Sequence, residues 1–123
     1  MGTTYRSKFE ETVAKKLEEA NVEYSYEAVK ILYKLSEVRK YTPDFILPNG
    51  IVIETKGRFV AADRKKHLLI REQCPDVDIR FVFQNPKIKI SKASKTSYAD
   101  WCDKNGFKWA AREIPQEWID ESL

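Results

Sequence analysis

Two acidic residues and a lysine lie close together in one short, otherwise apolar part of the chain. Asp44 follows Pro43, and the run Glu54-Thr55-Lys56 begins ten residues after Asp44. Side chains alternate along a strand, so Glu54 and Lys56 are expected on the same face. Burying a carboxylate costs several kcal/mol unless it is paired or bound to a metal ion. These residues therefore predict a site where two carboxylates are compensated by a cation.

The length of the turn between the two acidic positions decides whether they meet. A two-residue turn would set Asp44 opposite Thr55 and direct the two carboxylates to opposite faces of a β-hairpin. A three-residue turn, Pro48-Asn49-Gly50, sets Asp44 opposite Glu54, with about 4.5–5.5 Å between their Cβ atoms. The glycine of this turn can adopt the left-handed conformation that a three-residue turn requires. We therefore expect the three-residue turn, with both carboxylates and Lys56 on one face.

The chemistry that this arrangement favours is metal-assisted hydrolysis of a phosphodiester. Two carboxylates hold one or two Mg²⁺ ions, which lower the pKa of a bound water and neutralise charge on the scissile phosphate. Lys56 would position or activate that water, or stabilise the phosphate in the transition state. Pro-Asp followed by Glu-x-Lys is the pattern of PD-(D/E)xK nucleases. An ordinary surface salt bridge is the alternative explanation for the same three residues.

Positive charge is concentrated in the middle of the chain. With histidine counted as neutral, residues 1–55 carry a net charge of −1, residues 56–95 of +7 and residues 96–123 of −3. A basic segment directly after the hairpin favours contact with the phosphates of a nucleic acid, although solubilising charge is the alternative. The predicted phosphate contacts are Arg58, Arg64, Lys65, Lys66, Arg71, Lys87 and Lys89. His67, the one histidine, is expected to contact DNA or to pack, rather than to act as a catalytic base.

Length and composition indicate one cytoplasmic domain. The chain has 123 residues, of which 42% are apolar and 33% charged, and the predicted nuclease domain spans residues 1–123. Its longest apolar runs are too short to span a bilayer, and Met1–Lys16 is too polar for a secretory signal. Cys74 and Cys102 lie far apart, without the spacing of a zinc site. We therefore expect no membrane partner, no structural zinc and no nucleotide cofactor.

Apolar periodicity and turn residues divide the first half of the chain into a helix and several strands. The predicted elements are a helix over Thr4–Ala20, a strand over Val22–Leu35, a polar turn over Ser36–Lys40 and the hairpin strands Tyr41–Leu47 and Ile51–Lys56. The strand Val22–Leu35 has no obvious partner nearby in the chain. Its open edge predicts pairing with a second chain.

The second half of the chain alternates helices with shorter strands. Its predicted elements are a helix from Ala61 or Asp63 to Gln73, a strand over Asp78–Phe83, a basic loop over Asn85–Lys95, a helix capped by Thr96 or Ser97 that Gly106 ends, a strand over Phe107–Ala110 and a last helix from Pro115. This order predicts one α/β domain with a mixed β-sheet flanked by helices.

Beyond the hairpin, several runs of residues are specific enough to carry a family resemblance. These runs are Tyr41–Phe45, Leu47–Gly50, Glu54–Gly57, Asp63–Gln73, Asp78–Arg80, Thr96–Tyr98, Ile114–Pro115 and Glu117–Ile119. In this order they resemble the phage T-seven endonuclease I family of Holliday-junction-resolving enzymes over nearly the whole chain. The run Asp63–Gln73 is the most specific, whereas Ile31–Lys40 matches poorly.

The resemblance implies a fold, an activity and a set of site residues. It implies a restriction-endonuclease-like core in a domain-swapped homodimer that makes paired nicks in branched double-stranded DNA, the four-way Holliday junction. The implied cofactor is Mg²⁺, with Mn²⁺ as a substitute. The catalytic residues of the family map onto Asp44, Glu54 and Lys56. A further glutamate, which reaches the active site of the other subunit in the family, maps onto Glu10. Glu10 is thus implied as a metal ligand together with the two hairpin carboxylates, and the neighbouring Arg6 as a DNA contact.

Two alternatives stay open at this point. A sequence-specific or nicking endonuclease of the homing type would use the same scaffold, and a DNA-binding module that has lost catalysis would keep the basic surface. The intact set of Asp44, Glu54 and Lys56 argues against the inactive module, because a module without catalysis does not need all three.

Overall fold

A five-stranded mixed β-sheet with helices packed against it forms the framework of the chain. The computed structural model describes residues 4–34 and 37–122. The helices in this part are α1 (Lys8–Glu19), α2 (Ala61–Gln73), α3 (Tyr98–Asn105) and α4 (Gln116–Asp120). The strands are β1 (Ser25–Tyr26), β2 (Ile31–Lys34), β3 (Val38–Tyr41), β4 (Phe45–Ile46), β5 (Val52–Lys56), β6 (Ile79–Phe83) and β7 (Trp109–Ala111). None of the described helices is long and apolar enough to cross a membrane.

The sheet combines antiparallel and parallel pairing in the order β1-β4-β5-β6-β7. Strands β1, β4 and β5 pair antiparallel, whereas β5, β6 and β7 pair parallel. All five residues of β6 are buried, as expected for a strand that is covered on both faces. The expectation of a mixed sheet flanked by helices is confirmed.

The β4–β5 hairpin has the predicted three-residue turn. Phe45 lies opposite Ile53, which is the pairing that this turn length requires. Gly50 has a φ of 89°, in the left-handed region that glycine adopts without steric cost. Continuing this register one residue outward places Asp44, directly before β4, level with Glu54.

The residues before the hairpin differ from their prediction. The single strand predicted over Val22–Leu35 is wrong, because the described residues form β1 and β2 separately, with Glu27 between them in the left-handed region at a φ of 49°. Strand β1 pairs with β4, and β2 pairs antiparallel with β3 in a second, two-stranded sheet. The partner strands are thus in the same chain, and the predicted turn Ser36–Lys40 is in part the strand β3. Leu35 and Ser36 themselves lie outside the described residues.

Helix α1 covers one face of the sheet. The side chain of Ser7 caps the helix by accepting a hydrogen bond from the N–H of Glu10 at 3.0 Å, so the helix begins later than the predicted Thr4. Val13 and Leu17 pack in one apolar cluster with residues of β4, β5 and β6. Glu10 is also buried on this helix, which brings a charged residue to the sheet.

Helices α2 and α3 cover the other face. Phe81 and Phe83 of β6 belong to an aromatic cluster with Ile70 of α2 and Trp101 of α3, whereas Val82 belongs to the cluster beneath α1. Neighbouring residues of a strand point to opposite faces. The sheet is therefore enclosed between α1 on one side and α2 with α3 on the other.

The ends of α2 and α3 fall where the local sequence predicts them. Helix α2 runs to Gln73, directly before Cys74-Pro75. Helix α3 follows Ser97, whose side chain forms a capping box with Asp100, and it ends at Gly106 with a φ of 75°. A proline and a glycine thus fix the lengths of the two helices that cover this face.

Candidate active site

The carboxylates of Asp44 and Glu54 are buried, and each is held by the opposite strand of the hairpin. Asp44 is 8% exposed and Glu54 is 4% exposed. Oε2 of Glu54 accepts a hydrogen bond from the backbone N–H of Asp44 at 3.0 Å. Oδ2 of Asp44 accepts from the N–H and from the hydroxyl of Thr55, both at 2.9 Å. One oxygen of each carboxylate is therefore fixed by the hairpin itself.

Helix α1 brings a third carboxylate to this place. Glu10 is 8% exposed, and its Oε1 accepts a hydrogen bond from the hydroxyl of Tyr26 at 2.5 Å. The backbone N–H of Arg6 donates to the same oxygen at 3.1 Å. The ring of Tyr26 packs on Phe45 of the hairpin, with 5.4 Å between the ring centroids. The carboxylate of Glu10 is thus held in one position beside the hairpin.

Glu10 meets Asp44 within one chain. The family resemblance implies that this glutamate reaches the active site of the other subunit, whereas oxygens of the two residues lie within 4.8 Å inside the single chain. A domain swap exchanges an element between two chains and preserves its contacts. A swapped dimer would therefore build the same geometry between its chains.

A further carboxylate, Glu27, forms a cluster with Glu10 and Asp44 that the sequence does not indicate, and Glu54 is not part of this cluster in the described chain. One oxygen each of Glu10, Glu27 and Asp44 lie within 4.8 Å of one another. Two ligand oxygens on opposite sides of Mg²⁺ are about 4.2 Å apart, since each lies about 2.0–2.1 Å from the ion. Oε2 of Glu27 is buried and accepts no hydrogen bond from the described residues, although Nη1 of Arg6 lies 3.5 Å away. The three oxygens suit a hard cation such as Mg²⁺ or Mn²⁺ once small side-chain shifts bring them to its bonding distance.

No local sequence signal marks Glu27. It directly follows β1, and its N–H donates to the carbonyl of Asp44 at 3.3 Å. This contact depends on the pairing of β1 with β4, in which Tyr26 lies opposite Phe45. A left-handed conformation is uncommon for a glutamate, and only the folded chain reveals it.

Burial makes the negative charge of the cluster costly. It raises the pKa of Asp44 to about 8, with the charge of Glu54 as the second cause. Burial also raises the pKa of Glu54, although the ammonium of Lys56 opposes this effect. Several carboxylates in one place favour protonation of one of them unless a cation neutralises their charge. A divalent cation is the partner that would keep all of them ionised at neutral pH.

Lys56 lies beside the carboxylates, at the end of β5. Its Nζ is 3.8 Å from Oε1 of Glu54 and 3.7 Å from Oδ1 of Asp63 in the first turn of α2. The side chain is 18% exposed, so Lys56 lies at the border between the buried acidic site and the surface. This position suits a group that orients water or contacts a phosphate oxygen.

His67 is completely buried, so the predicted contact of this residue with DNA is wrong. Its ring packs against Tyr41 and Phe81, with centroids 5.3 and 5.0 Å away, which agrees with the packing alternative. Nδ1 lies 2.9 Å from the carbonyl of Asp63 and must donate to it, because a carbonyl only accepts. Nε2 then carries a lone pair and faces Oε1 of Glu54 at 3.8 Å. Burial lowers the pKa of His67 to about 4, which keeps the ring neutral at pH 7.

The predicted phosphate contacts divide into exposed residues and residues used in packing. The exposed ones are Arg6, Arg58, Lys65, Lys87 and Lys89. Nη1 of Arg64 donates to a backbone carbonyl before α2 at 2.6 Å, and Nζ of Lys66 lies 5.2 Å from the centre of an aromatic ring. Arg71 donates to the carbonyl of Asn105 and covers the ring of Phe107. Arg71 is therefore a packing residue that connects α2 to the end of α3.

Comparison with known proteins gives matches along the whole chain. A family model described as phage endonuclease I matches residues 1–123. The chain is 50% identical to Endonuclease I of Escherichia phage T7 over 118 residues, which are 95% of this chain and 79% of that protein. It is 49% identical to Endodeoxyribonuclease 1 of Enterobacteria phage T3 over 121 residues, which are 98% of this chain and 80% of that protein. The family resemblance expected from the sequence is confirmed.

Proposed function

The chain belongs to the phage endonuclease I family, and from this premise we propose that it is a metal-dependent endonuclease that hydrolyses phosphodiester bonds in DNA. The observation that carries the proposal is the buried position of Asp44, whose backbone N–H binds Glu54 and whose carboxylate has an oxygen within 4.8 Å of one from Glu10. Lys56 lies at the edge of this site, with its side chain 18% exposed. Both relatives are named as nucleases, and one of them is named for DNA.

The proposed cofactor is Mg²⁺, for which Mn²⁺ would substitute. The carboxylates of Asp44, Glu54 and Glu10 would hold the ion, and Glu27 offers a further oxygen. Carboxylate oxygens are the donors that these hard cations prefer. When bound, the ion supplies Lewis acidity and a water of lowered pKa.

The side chains of the site have their own supporting partners. Thr55 holds Asp44 through two hydrogen bonds, and Tyr26 holds Glu10 through one. Such partners fix the orientation of a ligand before the metal or the substrate arrives. Lys56 would orient the attacking water or stabilise negative charge that develops on the phosphate.

The proposed substrate is branched double-stranded DNA, above all a four-way junction that is cut by paired nicks. Two symmetric nicks need two active sites related by a two-fold axis, which a homodimer supplies. The β2–β3 sheet carries Leu32 and Val38, two apolar residues that are each 59% exposed. A second chain that covers them, in a domain-swapped dimer with a restriction-endonuclease-like core, would remove this apolar surface from water.

A cleavage assay on matched substrates tests the proposal. A four-way junction and a linear duplex built from the same arms are incubated with the protein in Mg²⁺, in Mn²⁺ and in EDTA. We expect nicks in the junction with either metal, little cleavage of the duplex, and no cleavage in EDTA. A sequence-specific endonuclease would instead cut the duplex at one sequence, whether or not the DNA is branched.

Two variants locate the chemistry. Glu54→Gln keeps the size of the side chain but weakens metal ligation, so we expect cleavage to fall by more than the roughly 10–100-fold typical of residues that only support a ligand. Binding of the junction should persist, because it rests on many phosphate contacts. Glu117→Gln, at an exposed position of α4, is the matched control and should cleave like the parent. Cleavage by Glu54→Gln within about tenfold of the parent would place the chemistry outside the hairpin.

A further inference from the structure

A second basic surface lies outside the basic middle segment of the chain. It is a cleft of about 570 Å³. The residues that line it are Lys8, Phe9, Thr12 and Lys16 of α1, Gln84 after β6 and Arg112 after β7. Three of these six residues are cationic and none is acidic, so the cleft is suited to an anion.

Within the part of the chain that the structure describes, two of the three cations have no acidic partner. Nζ of Lys16 forms an ion pair with Glu113 at 2.6 Å. Lys8 and Arg112 are exposed, and their side chains form no ion pair or hydrogen bond with any residue in 4–34 or 37–122. Uncompensated charges that share one concave surface focus its electrostatic field and attract an anion more strongly than scattered charges do.

The cleft is connected to the proposed active site through the sheet. In the parallel strands β5, β6 and β7, Lys56 is level with Phe83, and Phe83 is level with Ala111. Arg112 follows Ala111, so it is two strands away from Lys56, or about 10 Å at roughly 4.8 Å per strand. The N–H of Gln84 donates to the carbonyl of Lys56 at 3.0 Å. One lining residue of the cleft, Gln84, is therefore bonded to the strand that carries the active-site lysine, whose side chain reaches Asp63 on the α2 side of the sheet.

Helix α1 forms the opposite wall of the cleft. Lys8, Thr12 and Lys16 are spaced four residues apart, so they follow one side of the helix over about 12 Å. Because Lys16 is paired with Glu113 and the hydroxyl of Thr12 donates to the carbonyl of Lys8 at 2.9 Å, Lys8 is the residue of this wall that is available to an anion among the described residues.

Arg112 is fixed by a tight turn at the end of β7. It has a φ of 70°, and the N–H of Glu113 donates to the carbonyl of Ala111 at 2.8 Å to close a three-residue turn around it. The N–H of Arg112 donates to the carbonyl of Phe83 at 2.8 Å. A left-handed φ is unfavourable for arginine and easy for glycine. The turn thus carries an arginine at a position whose backbone favours a residue without a side chain.

We propose that this cleft binds the phosphate backbone of a DNA strand near the scissile phosphate, with Lys8 and Arg112 as its contacts. The inference rests on the proposed function, because it extends the substrate of the same active site across the sheet. Contacts of this kind are independent of base sequence, since a lysine or an arginine that reaches a phosphate carries no information about the bases.

The test measures DNA binding as a function of salt. Lys8→Gln and Arg112→Gln are introduced together into the Glu54→Gln chain, which prevents cleavage during the measurement, and the Kd for a four-way junction is determined over a series of KCl concentrations. Each phosphate contact contributes about 0.9 to the slope of log Kd against log salt. We expect the slope to fall by about 1.8 for each cleft, and binding at 0.1 M salt to weaken on the order of tenfold for each lost contact.

The control removes the same charge from another part of the surface. Lys104 and Lys108 are exposed, and Lys108 precedes β7, at the opposite end of this strand from Arg112. We expect Lys104→Gln with Lys108→Gln to leave the slope unchanged. Equal slopes for the two double variants would overturn the cleft as a binding site. If Arg112→Gln lowers the melting temperature, the test is repeated with the single variant Lys8→Gln, at an exposed position in the first turn of α1. We then expect half the decrease in the salt slope, about 0.9 for each cleft.

Cleavage by the parent chain, measured in the same series, separates this inference from the proposed function. If the parent cleaves the junction and the double variant keeps the parental slope, only the cleft is overturned. A reduced slope in a chain that binds without cleaving would support the cleft and overturn the proposed function. If the parent neither binds nor cleaves DNA, both fail.

Discussion

The hydroxyl of Tyr26 donates a 2.5 Å hydrogen bond to Oε1 of Glu10. The N–H of Arg6 donates to the same oxygen at 3.1 Å, so two donors fix the Glu10 carboxylate beside Asp44. Burial raises the pKa of Tyr26, and the hydrogen bond to Glu10 raises this pKa further. The phenol therefore remains a donor at neutral pH. A residue that supports a metal ligand in this way sets the orientation and basicity of the ligand.

Removing the hydroxyl tests this positioning role. We expect Tyr26→Phe to raise the Mg²⁺ concentration needed for half-maximal cleavage by about 10–100-fold, with a loss of about 1 kcal/mol in the free energy of unfolding. The matched control is Tyr24→Phe, which removes a hydroxyl that is bonded to Glu18 at 2.6 Å and to the hydroxyl of Tyr5 at 2.5 Å rather than to a metal ligand. Equal Mg²⁺ dependence in the two variants would contradict a positioning role for Tyr26.

Glu27 is expected to contribute an oxygen to the metal site. Glu27→Gln removes its charge at constant size, and we expect the affinity for Mn²⁺ to fall by about tenfold or more, as measured by calorimetry without DNA. Glu23→Gln, at an exposed position in the same part of the chain, should keep the parental affinity. An unchanged affinity in Glu27→Gln would limit the ligands to Glu10, Asp44 and Glu54.

The raised pKa of Asp44 leads to a prediction for the metal-free protein. The folded chain holds the Asp44 proton up to about pH 8, whereas an unfolded chain releases it near the ordinary pKa of 3.8. This carboxyl therefore favours the folded state at low pH. Its contribution is lost as the pH rises from about 4 to 8, by at most ~1.4 kcal/mol per pH unit. In EDTA, Asp44→Asn should gain stability relative to the parent over this range, as measured by urea unfolding.

Added Mg²⁺ should act against this loss in the parent. A divalent cation binds the ionised carboxylate, so Mg²⁺ is expected to raise the melting temperature of the parent more at about pH 8 than at about pH 5. Asp76→Asn, at an exposed turn, is the control and should follow the parent at each pH. Parallel pH curves for Asp44→Asn and the parent would exclude a raised pKa at Asp44.

Two inactive chains can test whether the active site is shared between subunits. In the proposed domain-swapped dimer, Glu10 of one chain would lie beside Glu54 of the other. Glu10→Ala and Glu54→Ala chains that are unfolded and refolded together would then give heterodimers with one complete site, and we expect nicking to return. If each site is formed within one chain, such heterodimers contain no complete site. Heterodimers that are verified by mass and do not nick would therefore exclude the swap.

The hairpin and the helix ends are predictable because short-range rules decide them. Turn length and the alternation of side chains set the pairing of Phe45 with Ile53, and this pairing brings the two hairpin carboxylates together. Ser97 and Gly106 likewise set the ends of α3 through contacts within a few residues.

The parts of the site that the sequence does not predict depend on pairing between strands that are distant in the chain. No local rule selects β4 as the partner of β1, yet this pairing brings Tyr26 and Glu27 to the site. His67 shows the same limit in a helix. Periodicity shows which residues share a side of α2, but it does not show what covers that side. The covering residues come from β3 and β6, which are distant in sequence, so the local sequence alone does not predict that His67 is buried.

The hydrogen bond from the backbone of Asp44 to the carboxylate of Glu54 makes strand alignment and assembly of the site a single event. A slip of one residue would turn Asp44 to the other face of the hairpin and leave buried carboxylates without donors. A misaligned chain would thus be inactive as well as less stable, and a turn lengthened by one residue should have both defects. Specific activity then reports folding fidelity, because a partly misfolded preparation contains fewer working molecules rather than slower ones.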